Sequence, residues 1–150
     1  AAASEEAVSV ALKSIPAEAE EQGVAGTGKL LELFDAELPV ARRRTLIPDG
    51  GGFGYEALAS FRGFFFRPFN DRALPQGDSE EARLRRARYL AVLGDEAGAV
   101  REVGLLRKGP QDAMKAWVEE VRKRLVLRQA LALIRAHVLT SAITLSDSGV

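Results

Sequence analysis

The sequence predicts an all-α protein: a helical bundle with a long C-terminal helix and one amphipathic helix that protrudes from it. Three observations carry this. Apolar residues recur at three- and four-residue spacing along most of the 150-residue chain, which is how helices with one buried stripe read. No stretch keeps the period of two that a half-buried strand requires. Glycine and proline fall between the periodic stretches, several of them beside residues able to cap a helix.

Taken in chain order, Ser4 followed by Glu5 and Glu6 reads as an N-cap with acids in the first turn, and Val8, Leu12 and Ile15 give one apolar stripe. Pro16 opens a short helix that Gly23 ends. Thr27 is placed to cap the next helix, whose Leu30, Leu31, Phe34, Leu38 and Ala41 share a face and which Pro39 should kink. The run Ile47-Pro48-Asp49-Gly50-Gly51-Gly52 is a loop or hinge, and Phe53 to Arg67 reads as a helix stopped by Pro68. Asp78 or Ser79 caps a helix buried through Leu84, Ala87, Leu90 and Ala91, with Glu81 placed for a capping box. Gly94-Asp95 ends that helix and starts the next, lined by Ala99, Val100, Val103 and Leu106 and closed by Gly109-Pro110. The last helix runs from Gln111 to about Leu139. Its stripe begins as Met114, Trp117, Val121 and Leu125, then moves to Leu127, Leu131, Ile134 and Val138, so it serves two neighbours. The organisation is thus N-terminal helices over residues 1–46, an amphipathic helix over 53–69 and a helical bundle over 78–145.

Composition narrows the chemistry. The 47% apolar and 28% charged content is that of a globular domain, and a chain of this length can build a core without staples. With no cysteine and one histidine, thiolate and histidine-cluster metal sites, disulfides and thiol nucleophiles are excluded, and neither a metal nor a cofactor is expected. No run approaches the roughly eighteen apolar residues of a membrane span. The zero net charge gives no support to nucleic-acid binding. That neutrality is nevertheless divided: residues 1–41 carry net −6, residues 42–88 net +4 and the remainder net +2.

Two glycine motifs fail on context. Gly23 to Lys29 fits the start of a phosphate-binding loop, but Leu30 stands where Ser or Thr would hold magnesium and an acidic helical run precedes it instead of a strand. Gly52-Phe53-Gly54-Tyr55-Glu56-Ala57 satisfies the loose dinucleotide fingerprint without a βαβ unit around it. His137 has no second ligand near it in sequence, and Glu20-Glu21 and Glu119-Glu120 diverge on their helices as solvated pairs. No catalytic residue is expected, and the chain is read as non-enzymatic.

Six of the seven phenylalanines fall within residues 53–69. At about 100° per residue, Phe53, Ala57, Leu58, Phe61, Phe64 and Phe65 gather into an arc of about 140°, with Glu56, Ser60, Gly63 and Arg67 opposite. Tyr55 and Arg62 stand at one boundary, where a phenol or a long cation reaches a wet interface. A helix aromatic on one side, cationic at its edges and too short to cross is the form that lies in a bilayer interface. Each withdrawn ring contributes about 1.5–3 kcal/mol, and Arg42 to Arg44, Arg67 and Arg72 would each add about 1 kcal/mol on an anionic surface. Phe53, Tyr55, Leu58, Phe61, Arg62, Phe64, Phe65, Phe66 and Arg67 are therefore the candidate lipid-binding residues. Periodicity alone is met equally by rings that fill a core or a dimer interface.

The order of these pieces resembles the C-terminal domain of the mitofilin family, the core subunit of the mitochondrial contact site and cristae organising system. The resemblance runs from about Ala11 to Ala142 and rests on Gln22-Gly23-Val24, Leu31 and Phe34, Ala41-Arg42-Arg43, Leu46-Ile47, the aromatic segment Tyr55 to Pro68, Tyr89-Leu90-Ala91 with Gly94-Asp95 and Ala99, Ala116 to Arg122, Leu125, Arg128-Gln129 and Leu133-Ile134. Pro39, Arg62 and Gly50 to Gly52 fall outside that pattern, and the family's transmembrane anchor and coiled coil have no counterpart here. The resemblance implies that the segment Tyr55 to Pro68 binds lipid. It also implies that the domain faces the intermembrane space at the mitochondrial inner membrane, forms a homodimer and binds a CHCH-domain subunit at crista junctions. The candidate partner or dimer interface is Met114, Trp117, Val121, Leu131, Ile134 and Val138. The competing reading is a soluble tetratricopeptide-like adaptor without lipid contact, built on the hairpin Tyr89, Gly94-Asp95 and Ala99, although stacked repeats of that kind normally number three or more.

Overall fold

The structure, a computed structural model, describes residues 2–13, 15, 24–48 and 75–147. These form six helices and no strand: α1 (Ala2–Lys13), α2 (Thr27–Thr45), α3 (Glu80–Val92), α4 (Glu96–Gly104), α5 (Lys108–Ala113) and α6 (Lys115–Asp147). The described chain is therefore all-α. The aromatic segment 53–69 and the short helix expected after Pro16 lie outside the described residues.

Helix α2 buries Leu30, Phe34 and Ala41, three members of its expected face, and with them Arg42. Its N-cap is Gly26 in an extended conformation, and Thr27 is already the first helical residue, so no side chain caps this end. The helix runs on through Pro39; the ring is exposed and the only hydrogen bond it removes is its own N–H donation one turn back. Arg42, Arg43 and Arg44 occupy the last turn, where cations complement the helix dipole.

The start of α3 is set by Ser79, whose Oγ accepts the Ala82 N–H at 3.2 Å. Glu81 does not complete a capping box; its carboxylate turns to Arg42 and Arg85. At the other end Gly94 adopts φ +81°, its N–H donating to Ala91 O and that of Asp95 to Leu90 O at 3.1 and 2.9 Å, a complete Schellman stop. Asp95 then caps α4 by accepting the Gly98 N–H at 2.9 Å.

Several boundaries differ from the sequence reading. Helix α4 ends at Gly104, and Gly109-Pro110 lies inside α5, where Pro110 occupies the third helical position and no N–H is required of it. Met114 then separates α5 from α6. The last helix accordingly begins at Lys115 rather than Gln111. Helix α1 likewise begins at Ala2, ahead of Ser4. Its most buried described side chain is Ala11, while Leu12 is 48% exposed and Val8 and Ile15 are half-buried.

The chain divides into two compact units, Ala25–Val121 and a second made of Ala1–Val24 with Arg122–Val150. In the first, α3 packs on α4, and α2 packs on both α3 and α5. Its core is Phe34, Leu84, Val103, Met114, Trp117 and Val121, none more than 1% exposed. Phe34 meets Trp117 edge to face with ring centroids 4.9 Å apart, a preferred aromatic geometry. In the second unit the buried residues among those described are Ala11 and Ala130, both with small side chains.

Candidate functional site

The nine candidate lipid-binding residues, Phe53, Tyr55, Leu58, Phe61, Arg62, Phe64, Phe65, Phe66 and Arg67, lie outside the described residues. The six on the last helix separate. Met114, Trp117 and Val121 are 0% exposed within the unit Ala25–Val121: their neighbour is the chain itself, and they offer no surface to a partner. Leu131 and Val138 are 42% and 58% exposed, and Ile134 is half-buried. Around them Leu133, Leu139 and Ile143 are also more than half exposed.

The basic centre is used differently from its sequence reading. Arg42, taken there as one of five cations available to an anionic surface, is only 6% exposed and is held by both oxygens of Glu81, at 3.1 Å from Nε and 2.5 Å from Nη2. It therefore has no access to an anionic surface. Arg88 makes the same forked pair with Asp35 at 2.7 and 3.0 Å, and Arg86 meets Glu102 at 3.0 Å. Arg107 grips Glu80 at 2.7 Å, while Arg44 donates to Gly109 O at 3.1 Å. These pairs tie α2 to α3, α3 to α4 and α5 to α2. They join residues 16 to 65 positions apart, a relation no local motif encodes.

Glu37 was also missed by sequence reasoning. Its carboxylate, on α2, accepts the Trp117 N–H at 3.2 Å and so serves the first turn of α6 in place of a local cap. Burial raises its carboxyl above the ordinary glutamate value; the Trp117 N–H acts in the opposite direction and the neighbouring Glu119 adds to the rise. Trp117 Nε1 is buried without a hydrogen-bond partner among the described residues. In the glycine motif near α2, Gly26, Gly28 and Lys29 are exposed at the helix start, and His137 is half-buried on α6. No described helix is long and apolar enough to cross a membrane.

These features define an all-helical bundle protein in which arginine–carboxylate pairs join α2, α3, α4 and the start of α5. The Mitofilin family model, described as a mitochondrial inner membrane protein, matches residues 1–138. The chain belongs to the mitofilin family, and the location that goes with the family is the mitochondrial inner membrane. Similar relatives are the MICOS complex subunit mic60 of Penicillium rubens, 32% identical over 136 residues, and that of Neurospora crassa, 30% identical over 136 residues. Each match covers 91% of this chain, and 21% and 20% of the respective relative. The MICOS complex subunit MIC60 of Sordaria macrospora is 28% identical, with 91% of this chain and 20% of the relative covered. The chain thus spans about a fifth of the length of these curated relatives. No solved structure matches it.

Proposed function

We propose that the chain is a non-enzymatic scaffolding and membrane-shaping domain of the MICOS complex, working at crista junctions on the intermembrane-space side of the inner membrane. The observation that carries this reading is family membership over residues 1–138, together with relatives that are named subunits of that complex. Lipid contact falls to the aromatic arc within residues 53–67, where Phe53, Phe61, Phe64 and Phe65 share one side of a helical projection of the sequence and Tyr55, Arg62 and Arg67 supply groups suited to headgroups. Contact with a second copy and with a CHCH-domain subunit falls to the distal part of α6. Exposed Leu131, Val138 and Leu139 support that assignment, since clustered exposed apolar side chains mark interaction surfaces.

Co-sedimentation with anionic vesicles tests the lipid reading. The chain should sediment with them, and Phe64→Asp with Phe65→Asp should abolish that while leaving far-ultraviolet circular dichroism unchanged. A double variant that unfolds supports instead the soluble adaptor, in which those rings belong to a core. A folded variant that still sediments refutes lipid binding through the arc.

A further inference from the structure

Carboxylates take up Arg42, Arg86, Arg88 and Arg107 within the unit Ala25–Val121. Among the described residues of that unit, Lys29, Arg43, Arg44, Arg101 and Lys108 enter no ion pair. Three of them meet at one place. Arg43 and Arg44 are successive exposed residues in the last turn of α2. Arg44 Nη1 donates to Gly109 O at 3.1 Å, and a Cβ on Gly109 would lie 3.9 Å from Arg44 Cβ, so the start of α5, with exposed Lys108, is seated against the end of α2. Asp112, one turn along α5, is exposed and pairs with none of them. Exposed apolar side chains border the cations. Val40, 36% exposed, stands one turn before Arg44 on α2. Leu105, 56% exposed, lies beside Gly104, whose carbonyl accepts from the Gln111 amide of α5 at 3.2 Å.

Packing α2 on α5 does not require this gathering of charge. The Gly109 carbonyl needs one donor and would take it from water, while neighbouring like charges oppose the fold. The repulsion is relieved when an anionic partner covers them. An acidic peptide has to bring carboxylates in a matching register. A bilayer offers anionic groups at every position and also receives Val40 and Leu105 at the boundary between headgroups and acyl chains. The family's place at the mitochondrial inner membrane brings such a surface within reach. We propose that Arg43, Arg44 and Lys108 form a cationic docking surface for anionic lipid headgroups, built by the contact of α2 with α5 and separate in sequence from the aromatic arc. The proposal rests on the lipid reading above, because three cations hold a protein only weakly and the rings supply the larger share. What the cluster adds is preference for anionic over neutral lipid, roughly fivefold per cation and about a hundredfold for three.

The test uses the 150-residue chain and measures partitioning by sedimentation over a series of lipid concentrations, on phosphatidylcholine vesicles with and without phosphatidylserine. Arg43→Gln with Arg44→Gln and Lys108→Gln should weaken partitioning to the anionic vesicles about a hundredfold, leave it unchanged on the neutral ones and keep the helical circular dichroism signal. Arg43→Lys with Arg44→Lys keeps the charge and should partition as the wild type does. Lys29→Gln removes an exposed cation about 22 Å along α2 from Arg44, more than two screening lengths away, and should change partitioning less than about twofold. If the triple variant unfolds, Arg43→Gln with Lys108→Gln leaves the Arg44–Gly109 contact in place and should cost about twenty-five-fold. Undiminished partitioning in a folded variant overturns the docking surface and leaves the lipid reading standing. So does a loss of about fivefold from Lys29→Gln, which would report net charge rather than place. A triple variant that partitions normally and no longer binds polyglutamate assigns the cluster to an acidic protein and overturns the membrane assignment. A wild-type chain that sediments with neither vesicle overturns the lipid reading, and this surface with it.

Discussion

Val121 and Val138 lie on one continuous helix, yet the first is 0% exposed and the second 58%, and truncating each to alanine separates core from contact surface. At Val121 the change removes two buried carbons, about 1.6 kcal/mol of transfer free energy at roughly 0.8 per carbon, and the unfilled space brings the loss to about 2–3 kcal/mol. Val138 is 58% exposed in the single chain, so the same change there costs about 0.7 kcal/mol or less. Thermal unfolding followed by Trp117 emission and far-ultraviolet circular dichroism reads both, Trp117 being the sole tryptophan and 0% exposed. Val121→Ala should lower the midpoint by roughly 4–12 °C, by the same amount at every protein concentration. Val138→Ala should do little to the dilute chain and should weaken whatever concentration dependence the wild type shows, because association stabilises by mass action. The opposite pattern, a Val121→Ala midpoint that shifts with concentration beside an inert Val138→Ala, would place the partner at the Trp117 face and refute the division drawn between the two valines.

Two further outcomes follow from side-chain geometry. Because burial raises the Glu37 carboxyl above its ordinary value, the folded chain holds that proton more tightly than the unfolded chain, and stability falls as pH climbs from the ordinary value through the raised one. Glu37→Gln keeps an acceptor for the Trp117 N–H and should flatten that part of a pH series of urea midpoints; an unchanged slope assigns it to another group. At Gly98 an added Cβ would lie 2.3 Å from Asp95 Oδ2, so Gly98→Ala must displace the carboxylate that caps α4. Losing a cap costs about 1 kcal/mol and replacing a helical glycine by alanine returns about 1 kcal/mol. Gly98→Ala should therefore be close to neutral in the wild type and stabilising by about 1 kcal/mol once Asp95→Ala has removed the cap. Equal effects in both backgrounds, measured by urea denaturation, would show that the two residues are uncoupled.

The parts of this fold that were legible in the sequence are those decided within a few residues. Ser79 announces the start of α3, and Gly94 and Asp95 its end and the start of α4, because each bonds backbone groups no more than five positions away. The faces of α2 and α4 were legible through Leu30, Phe34, Ala41, Ala99 and Val103, since burial follows the helical period. Arg42 and Glu37 were illegible for the opposite reason. Their partners Glu81 and Trp117 are 39 and 80 residues away, and an arginine in the last turn of a helix looks the same in sequence whether it faces solvent or a buried carboxylate. The break at Met114 was hidden too, because Met114, Trp117 and Val121 keep helical spacing across it. On the last helix the shift of the apolar stripe was visible as two groups, but which group the chain itself covers depends on Phe34, whose ring meets Trp117.

The fate of the arginines also bears on how the protein would engage a membrane. Read as a sequence, the basic centre offers a cationic approach to an anionic surface. In the fold Arg42, Arg86, Arg88 and Arg107 are committed to Glu81, Glu102, Asp35 and Glu80, and Arg42 is buried outright. Electrostatic attraction would then rest on exposed Arg43 and Arg44, on Arg62 and Arg67 of the segment and on Arg72 after it, at about 1 kcal/mol each. Each inserted ring contributes about 1.5–3 kcal/mol, so the rings outweigh the charges. A protein drawn down by charge tolerates many orientations, because a screened field falls off over roughly 8–10 Å without regard to register. A protein that wedges aromatic rings into one leaflet would act through their depth and angle, which is why arginines committed to carboxylates within the bundle leave that mode of engagement untouched.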